Sequence, residues 1–389
     1  MNGNSNSIIG LSYGNPWNPA TWSNNPYYLF SNLKQMGLLK TAWGENPSKW
    51  RTRLSKIQAM LRFANLNKSV RGHLAVRKFS SRQMNKKFVR FLNEKRAEWQ
   101  NDNLAVLSTS SFVHFENIDY PIYLYGDQTF YQAYKGNVEL QQSISTRALQ
   151  EIIEYEKEQG KRYAGIFCFS EWMKEAIVND YGMEESRVHA VGHGYCLPDV
   201  EDFEKSDFEE PILLFVVTNW HKKGGDLVLK VYNIVKSEIP DLQLHIVGKV
   251  PEGVLKQIDN ERKIYYHGFL NKNNRADLEQ LITLYKKAAV FILPSVYDPM
   301  PNITLEANLL KTPAVTSNVC GIPEQVIDGQ TGFVIEKFAP DLYAEKILCL
   351  LKNRDMRYEM GQKARNFVMQ NYSWKAVIDK MTQVMFLEN

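Results

Sequence analysis

"AAVFILPSVYDPMPNITLEA", residues 288–307, is the stretch on which the fold turns. Its first six residues make a continuous apolar run of strand length, as a strand buried on both faces requires. Pro299 and Pro301 forbid a helix through the middle, because each lacks an N–H and pushes the preceding residue towards extended backbone. A helix can begin directly after Pro301, a residue suited to a helix start. Asp298 is left on a loop, and Glu306 falls a little over one turn inside the helix. Between them the N–H groups of Asn302, Ile303 and Thr304 lack partners within the helix and favour an anion. The layout is a carboxylate acceptor at each edge with an anion seat in the centre. Taken alone, the two acids would serve equally well as a turn former and a first-turn partner of the helix dipole.

The same alternation extends outward. Towards the C-terminus, "PAVTS" reads as a strand and 321–335 as a further segment of the sheet. A last helix follows "NYSW". Towards the N-terminus come "PILLFVV", a helix from Asp226, "LQLHIVG" and a helix near 274–286. Residues 197–211, "LPDVEDFEKSDFEEP", interrupt the pattern with an acidic, proline-containing stretch, where a domain boundary is expected. Before it stand "SIIGLSYG" with its glycine loop, a helix ended by Gly37, and strands at "LAVLS", "PIYLY", "AGIFCFS" and "RVHAVG". Helical faces run through Trp50, Leu54, Ile57, Leu61 and Ala64, and through Met84, Phe88, Phe91 and Leu92. Continuously apolar strands alternating with helices predict parallel sheets covered on both faces. The expected fold class is therefore α/β, with two doubly wound, Rossmann-like domains and a ligand cleft between their sheet edges. The first covers residues 1–200, completed by a C-terminal helix at 373–389, and the second covers 206–371.

At 389 residues the chain is long enough for two such domains, and 44% hydrophobic with 23% charged residues is an ordinary globular composition. No apolar run approaches the ~20 residues of a membrane span. The opening "MNGNSNS" lacks the charge and apolar core of a signal peptide. Cys168, Cys196, Cys320 and Cys349 have neither metal nor redox spacing, and buried thiols in a reducing cytoplasm are expected. The charge distribution is lopsided. Residues 49–97 hold fifteen Lys or Arg against one acid, Glu94, so a chain of net charge +4 carries +14 here and −10 elsewhere. Such a segment normally meets something negative. It carries none of the nucleic-acid recognition motifs.

A second motif, "FVVTNWHKKGGDLVLKVY" at 215–232, runs from a buried strand through Asn219 and Trp220 into two lysines and two glycines. Lys222 or Lys223 at such a turn can reach a phosphate, and Gly224 and Gly225 let backbone approach closely. A glycine-rich run before the lysine is missing, so this is not a Walker loop. Standing alone, the motif reads sooner as a solvated charge pair at a loop.

Taken together with "FSEWMKEAIVNDYG", "LQLHIVG", "YHGFL", "DPMPNITLEA", "GIPEQVIDGQTGFVI" and "YSW", the two motifs resemble the family 4 glycosyltransferases over residues 163–375. The first 160 residues match that family only in plan, through Gly14 in the loop after strand one and the strand leading to "YGDQTF". The resemblance implies the GT-B fold of two facing Rossmann-like domains. It also implies retaining transfer of a hexose from a nucleotide diphosphate sugar, UDP-sugar favoured, to a glycan or lipid-linked acceptor, with no metal and no cofactor. The family's pair of acids falls on Asp298, for the donor sugar, and Glu306, for the ribose. Its phosphate lysine falls on Lys223, with Asn302, Ile303 and Thr304 offering N–H groups to the diphosphate. The base would lie against Gly248 and Lys249 and against Phe269 and Leu270.

Three departures from that pattern are visible. Asp298 stands where the family usually has Glu, Thr218 replaces an Arg five residues before Lys223, and Asp127 replaces a His near the donor sugar. Lys222 or the helix end would have to compensate for the cation lost at 218. Rival readings are a catalytically weakened scaffold that binds nucleotide sugars or carbohydrate, and a sugar-nucleotide epimerase. A phosphorylase would need a pyridoxal-bearing lysine pocket, which nothing marks. His114, His193 and His221 are scattered and read as packing or surface residues. In this fold the first domain receives the acceptor, so the basic segment at 49–97 is expected to rest on an anionic membrane surface. The expected location is the cytoplasm, peripheral at the inner face of the cell membrane.

Overall fold

The structure, a computed structural model, describes residues 6–19, 21–45, 81–100, 102–109, 114–198, 200–205, 210–259 and 261–387. The helix expected at 50–64 and most of the basic segment lie outside the described residues. The chain divides into two compact units, Met1–Gly194 with Val377–Asn389, and Tyr195–Ala376.

The first unit is built on a parallel six-stranded sheet, in the order β2-β1-β3-β4-β5-β6. Its strands are β1 (Asn6–Tyr13), β2 (Leu39–Glu45), β3 (Asn103–Ser108), β4 (Ile122–Gly126), β5 (Gly165–Cys168) and β6 (Val188–Ala190). Ile9, Leu11, Val106, Leu124 and Ile166 are buried in one cluster with Met84, Phe88 and Leu92, which form the inner face of the helix Ser81–Lys95. Arg82, Lys86 and Arg90, spaced four apart on that helix, are exposed. Strand β2 carries no continuous apolar run and was not expected. As an edge strand it is buried on neither face throughout, so "LKTAWGE" needs no such run. Helices Phe130–Lys135, Val138–Ser143 and Thr146–Gly160 likewise had no forecast. The side chains of Thr129, Asn137 and Ser145 each accept an N–H in the first turn of the helix that follows.

The second unit repeats the plan with β7 (Ile212–Val217), β8 (Gln243–Gly248), β9 (Ile264–Tyr266), β10 (Val290–Leu293), β11 (Ala314–Ser317) and β12 (Gly332–Ile335). The order is β12-β11-β10-β7-β8-β9, all parallel. Every residue of β7, β10 and β11 is buried, as their unbroken apolar runs predict. Edge strand β9, half exposed, was not expected. The thiols depart from expectation too: Cys168 and Cys196 are buried, but Cys320 is only partly so and Cys349 is exposed.

Candidate active site

From β7 the chain builds outward through β8 and β9, then returns to the other side of β7 for β10, β11 and β12. The order therefore reverses between β7 and β10, and loops leaving the carboxyl ends of those two strands open a crevice where doubly wound sheets bind ligands. These loops are 218–224 and 294–301, the two motifs singled out in the sequence. They are tied together. The Val296 N–H donates to the Lys222 carbonyl at 2.8 Å. Gly224 has φ 74°, and a Cβ there would come 2.0 Å from the Pro294 oxygen, so only glycine allows this approach. Trp220, buried against Gly225, donates from Nε1 to Asp226 Oδ1 at 2.7 Å and anchors the turn to its helix.

This docking brings the Lys223 ammonium onto the Asp298 carboxylate. Burial alone pulls Lys223 down to about 7. The Asp298 charge in contact with it works in the opposite direction. Behind the loop, Gly321 donates its N–H to the Pro299 carbonyl (2.9 Å) and Gln325 Nε2 donates to the Pro301 carbonyl (3.1 Å). The "GIPEQ" segment thus supports the two prolines from below.

The helix Asn302–Leu309 starts after Pro301 and buries Thr304 to Leu309. Glu306 is 0% exposed. Its Oε1 accepts from Lys272 Nζ at 2.5 Å and its Oε2 from the Tyr285 hydroxyl at 3.4 Å. Lys272 also donates to the Cys196 carbonyl at 3.4 Å. Burial draws the Lys272 ammonium down, but the charges of Glu306 and Cys196 and the hydrogen bond to Glu306 together outweigh it, and the net shift is upward. Tyr285 is pushed well above the usual phenol range by burial and by Glu306. Both acids of the motif therefore carry a lysine. Lys272 and Tyr285 were not singled out in the sequence, since "FLNKNN" is a polar loop with no periodicity and Lys272 lies 34 residues from its partner. Among the described residues, Ser295 Oγ, Asn302 Oδ1 and Thr304 Oγ1 are buried without a hydrogen-bond partner.

On the other side of β7, Gly248 has φ 125°, and a Cβ there would lie 1.6 Å from the Val217 oxygen. Its N–H donates to the Gly268 carbonyl (2.7 Å), the Lys249 N–H to the Val217 carbonyl (2.9 Å), and the Tyr266 hydroxyl to the Gly248 carbonyl (2.9 Å). The two predicted base loops are thereby joined. Lys249 Nζ stands 5.5 Å from the centre of the Phe269 ring, which is 55% exposed, and Leu270 is half-buried beside it. Thr218 and the Lys222 side chain are exposed.

In the first unit, Gly14 (φ 104°) follows β1 and Asp127 follows β4, both at carboxyl ends of the sheet. Asp127 is partly buried, and desolvation pushes its carboxyl up to about 6 against donation from its own N–H and that of Gln128. His193 is buried and stacked on Phe169, His114 is buried beside Glu116, and His221 is exposed near Asp226. Among the described residues, no group of three or more His, Cys, Asp and Glu is placed to hold a metal, and no helix is long and apolar enough to cross a membrane.

The fold these units define is GT-B. A sucrose-phosphate synthase from Thermosynechococcus elongatus superimposes with a TM-score of 0.69 at 17% identity, covering 98% of this chain and 100% of that one. A glycosyltransferase from Rickettsia africae does so at 0.66 and 14% identity, covering 99% and 98%. Residues 199–367, which hold the whole crevice between β7 and β10, match the family described as "Glycosyl transferases group 1". Among curated relatives, the capsular polysaccharide biosynthesis glycosyltransferase CapM of Staphylococcus aureus is 23% identical over 56% of this chain and 60% of its own length. The alpha-maltose-1-phosphate synthase of Mycolicibacterium smegmatis is 25% identical over 56% and 62%. The chain thus matches less than two thirds of either relative's length.

Proposed function

We propose that this chain is a retaining hexosyltransferase of the family 4 type. It would move a sugar from a nucleotide diphosphate sugar, UDP-sugar favoured, to a glycan or lipid-linked acceptor in polysaccharide biosynthesis, without a metal. The observation that carries this reading is a helix N-terminus at the strand-order reversal, flanked by Lys223–Asp298 on one side and Lys272–Glu306 on the other. The names of the curated relatives support sugar transfer. A fold neighbour from Anabaena, HepE, was solved with UDP and glucose, which favours uridine.

In this reading the bond from the sugar's anomeric carbon to the diphosphate breaks as the acceptor oxygen attacks from the same face. Negative charge grows on the leaving diphosphate, where Lys223 and the N–H groups of Asn302, Ile303 and Thr304 stand preorganised to stabilise it. The acceptor proton goes to a leaving phosphate oxygen, so no side-chain base is needed. Asp298, besides holding Lys223, keeps acceptor capacity for a sugar hydroxyl, and Asp127 offers a second carboxylate. Acceptor attachment at an anionic membrane would use residues 49–97. The described part of that segment supports this with the exposed stripe of Arg82, Lys86 and Arg90.

The test is incubation with a panel of nucleotide sugars, reading nucleotide release and the anomeric configuration of the product. Release that depends on acceptor, with retention, is expected. Inversion would refute the mechanism. Release without acceptor would favour an epimerase, and binding without turnover a scaffold, the reading to which the exposed Thr218 points.

A further inference from the structure

Glu306 poses a physical problem for any role in binding a nucleotide. Its carboxyl has no exposure to water, so which of its lone pairs can meet a ribose diol depends on the groups packed against it. A carboxylate has about four acceptor sites. The Tyr285 hydroxyl, at 3.4 Å, is a long and neutral contact. Lys272 Nζ, at 2.5 Å, is short and charged.

Lys272 is itself held in place. The Asn271 N–H donates to Asp277 Oδ2 at 2.8 Å, Asn273 N–H to Asn271 Oδ1 at 3.1 Å, and Asn274 N–H to the Asn271 carbonyl at 2.8 Å. These bonds fix the turn that carries Lys272, and beyond Glu306 its ammonium donates, among the described residues, to the Cys196 carbonyl. With one site on Oε1 taken by Lys272 and one on Oε2 by Tyr285, a carboxylate still has capacity for two hydroxyl donors.

We propose that Lys272 is a positioning residue of the nucleotide site, holding the Glu306 carboxylate turned so that it accepts from both ribose hydroxyls. The proposal rests on the donor-site reading above and adds to it a residue, Lys272, on which ribose recognition depends.

The experiment compares affinity for whichever of UDP, ADP and GDP binds wild type best with affinity for its 2′,3′-dideoxy counterpart. Wild type should prefer the ribose form by tenfold or more, about the value of one charge-assisted hydrogen bond. Lys272→Met should erase most of that preference, Lys272→Arg should restore it, and Lys272→Met with Glu306→Gln should match Glu306→Gln alone. A purely structural ion pair predicts a different pattern: Lys272→Met lowers the melting temperature but leaves the preference intact. That result, in the folded variant, overturns the role of Lys272 and spares the donor site. Wild type that binds none of the three nucleotides refutes the donor-site reading and the role of Lys272 with it.

Discussion

Replacing Asp127 with Asn is expected to make the protein more stable at neutral pH and less active. Burial raises this carboxyl from an ordinary value near 3.8 to about 6. The folded state then binds the proton more tightly than the unfolded chain. Stability falls with pH wherever the folded state holds more protons, so the contribution of Asp127 is most favourable below about 4 and is lost as pH rises to about 6. Above that window both states are ionised and the folded state bears the full cost of a desolvated charge. At about 1.4 kcal/mol per tenfold change in proton affinity, that cost is about 3 kcal/mol. The partial exposure of Asp127 lets solvent screen the charge, and about 1–2 kcal/mol is the expected value. Urea unfolding at constant ionic strength, at steps from pH 4 to 8, measures it. Asp127→Asn should gain on wild type between pH 4 and 6 and keep a constant lead above pH 6.5. Its turnover should fall about tenfold or more, since an amide oxygen accepts more weakly than a carboxylate. A stability gap that does not change with pH would refute the burial argument. A stabilised, fully active variant would remove Asp127 from the site.

Asp298→Asn should cost turnover and also make nucleotide diphosphate binding begin to weaken at lower pH than in wild type, because Lys223, already drawn down by burial, loses its counter-charge; calorimetry from pH 6 to 8.5 shows it. Gly224→Ala should destabilise by about 1–3 kcal/mol and lower activity, since the Cβ at φ 74° meets the Pro294 oxygen and pushes Lys223 from Asp298; unaltered melting and turnover would contradict the docking of the two loops. Thr218→Arg should hold or raise activity if a cation is missing there, and a collapse in the folded variant would give Thr218 a different contact. Activity should survive EDTA, whereas loss restored by Mg²⁺ or Mn²⁺ would end the metal-free reading. Sedimentation with liposomes should need anionic lipid, weaken with salt, and weaken again when Arg77, Lys78, Lys86 and Lys87 become Ser; equal binding to neutral liposomes would refute the membrane role.

The amino-acid sequence by itself determined the central strands, the helix start after Pro301 and the turn at Gly224, because each rests on local physics: an unbroken apolar run, a missing N–H, a residue without a Cβ. It also marked Lys223, Asp298 and Glu306 as separate candidates. Edge strands β2 and β9 escaped it, since an edge strand needs no continuous apolar run. Only the tertiary structure decided the partners. Lys223 meets Asp298 across 75 residues, and Lys272 meets Glu306 across 34, because strand order places β10 beside β7 and a rigid turn aims Lys272 at the helix. No local pattern encodes which charge will neutralise a buried one. That choice follows from which backbone segments pack together, and here it gave each of the two expected carboxylate acceptors a lysine partner.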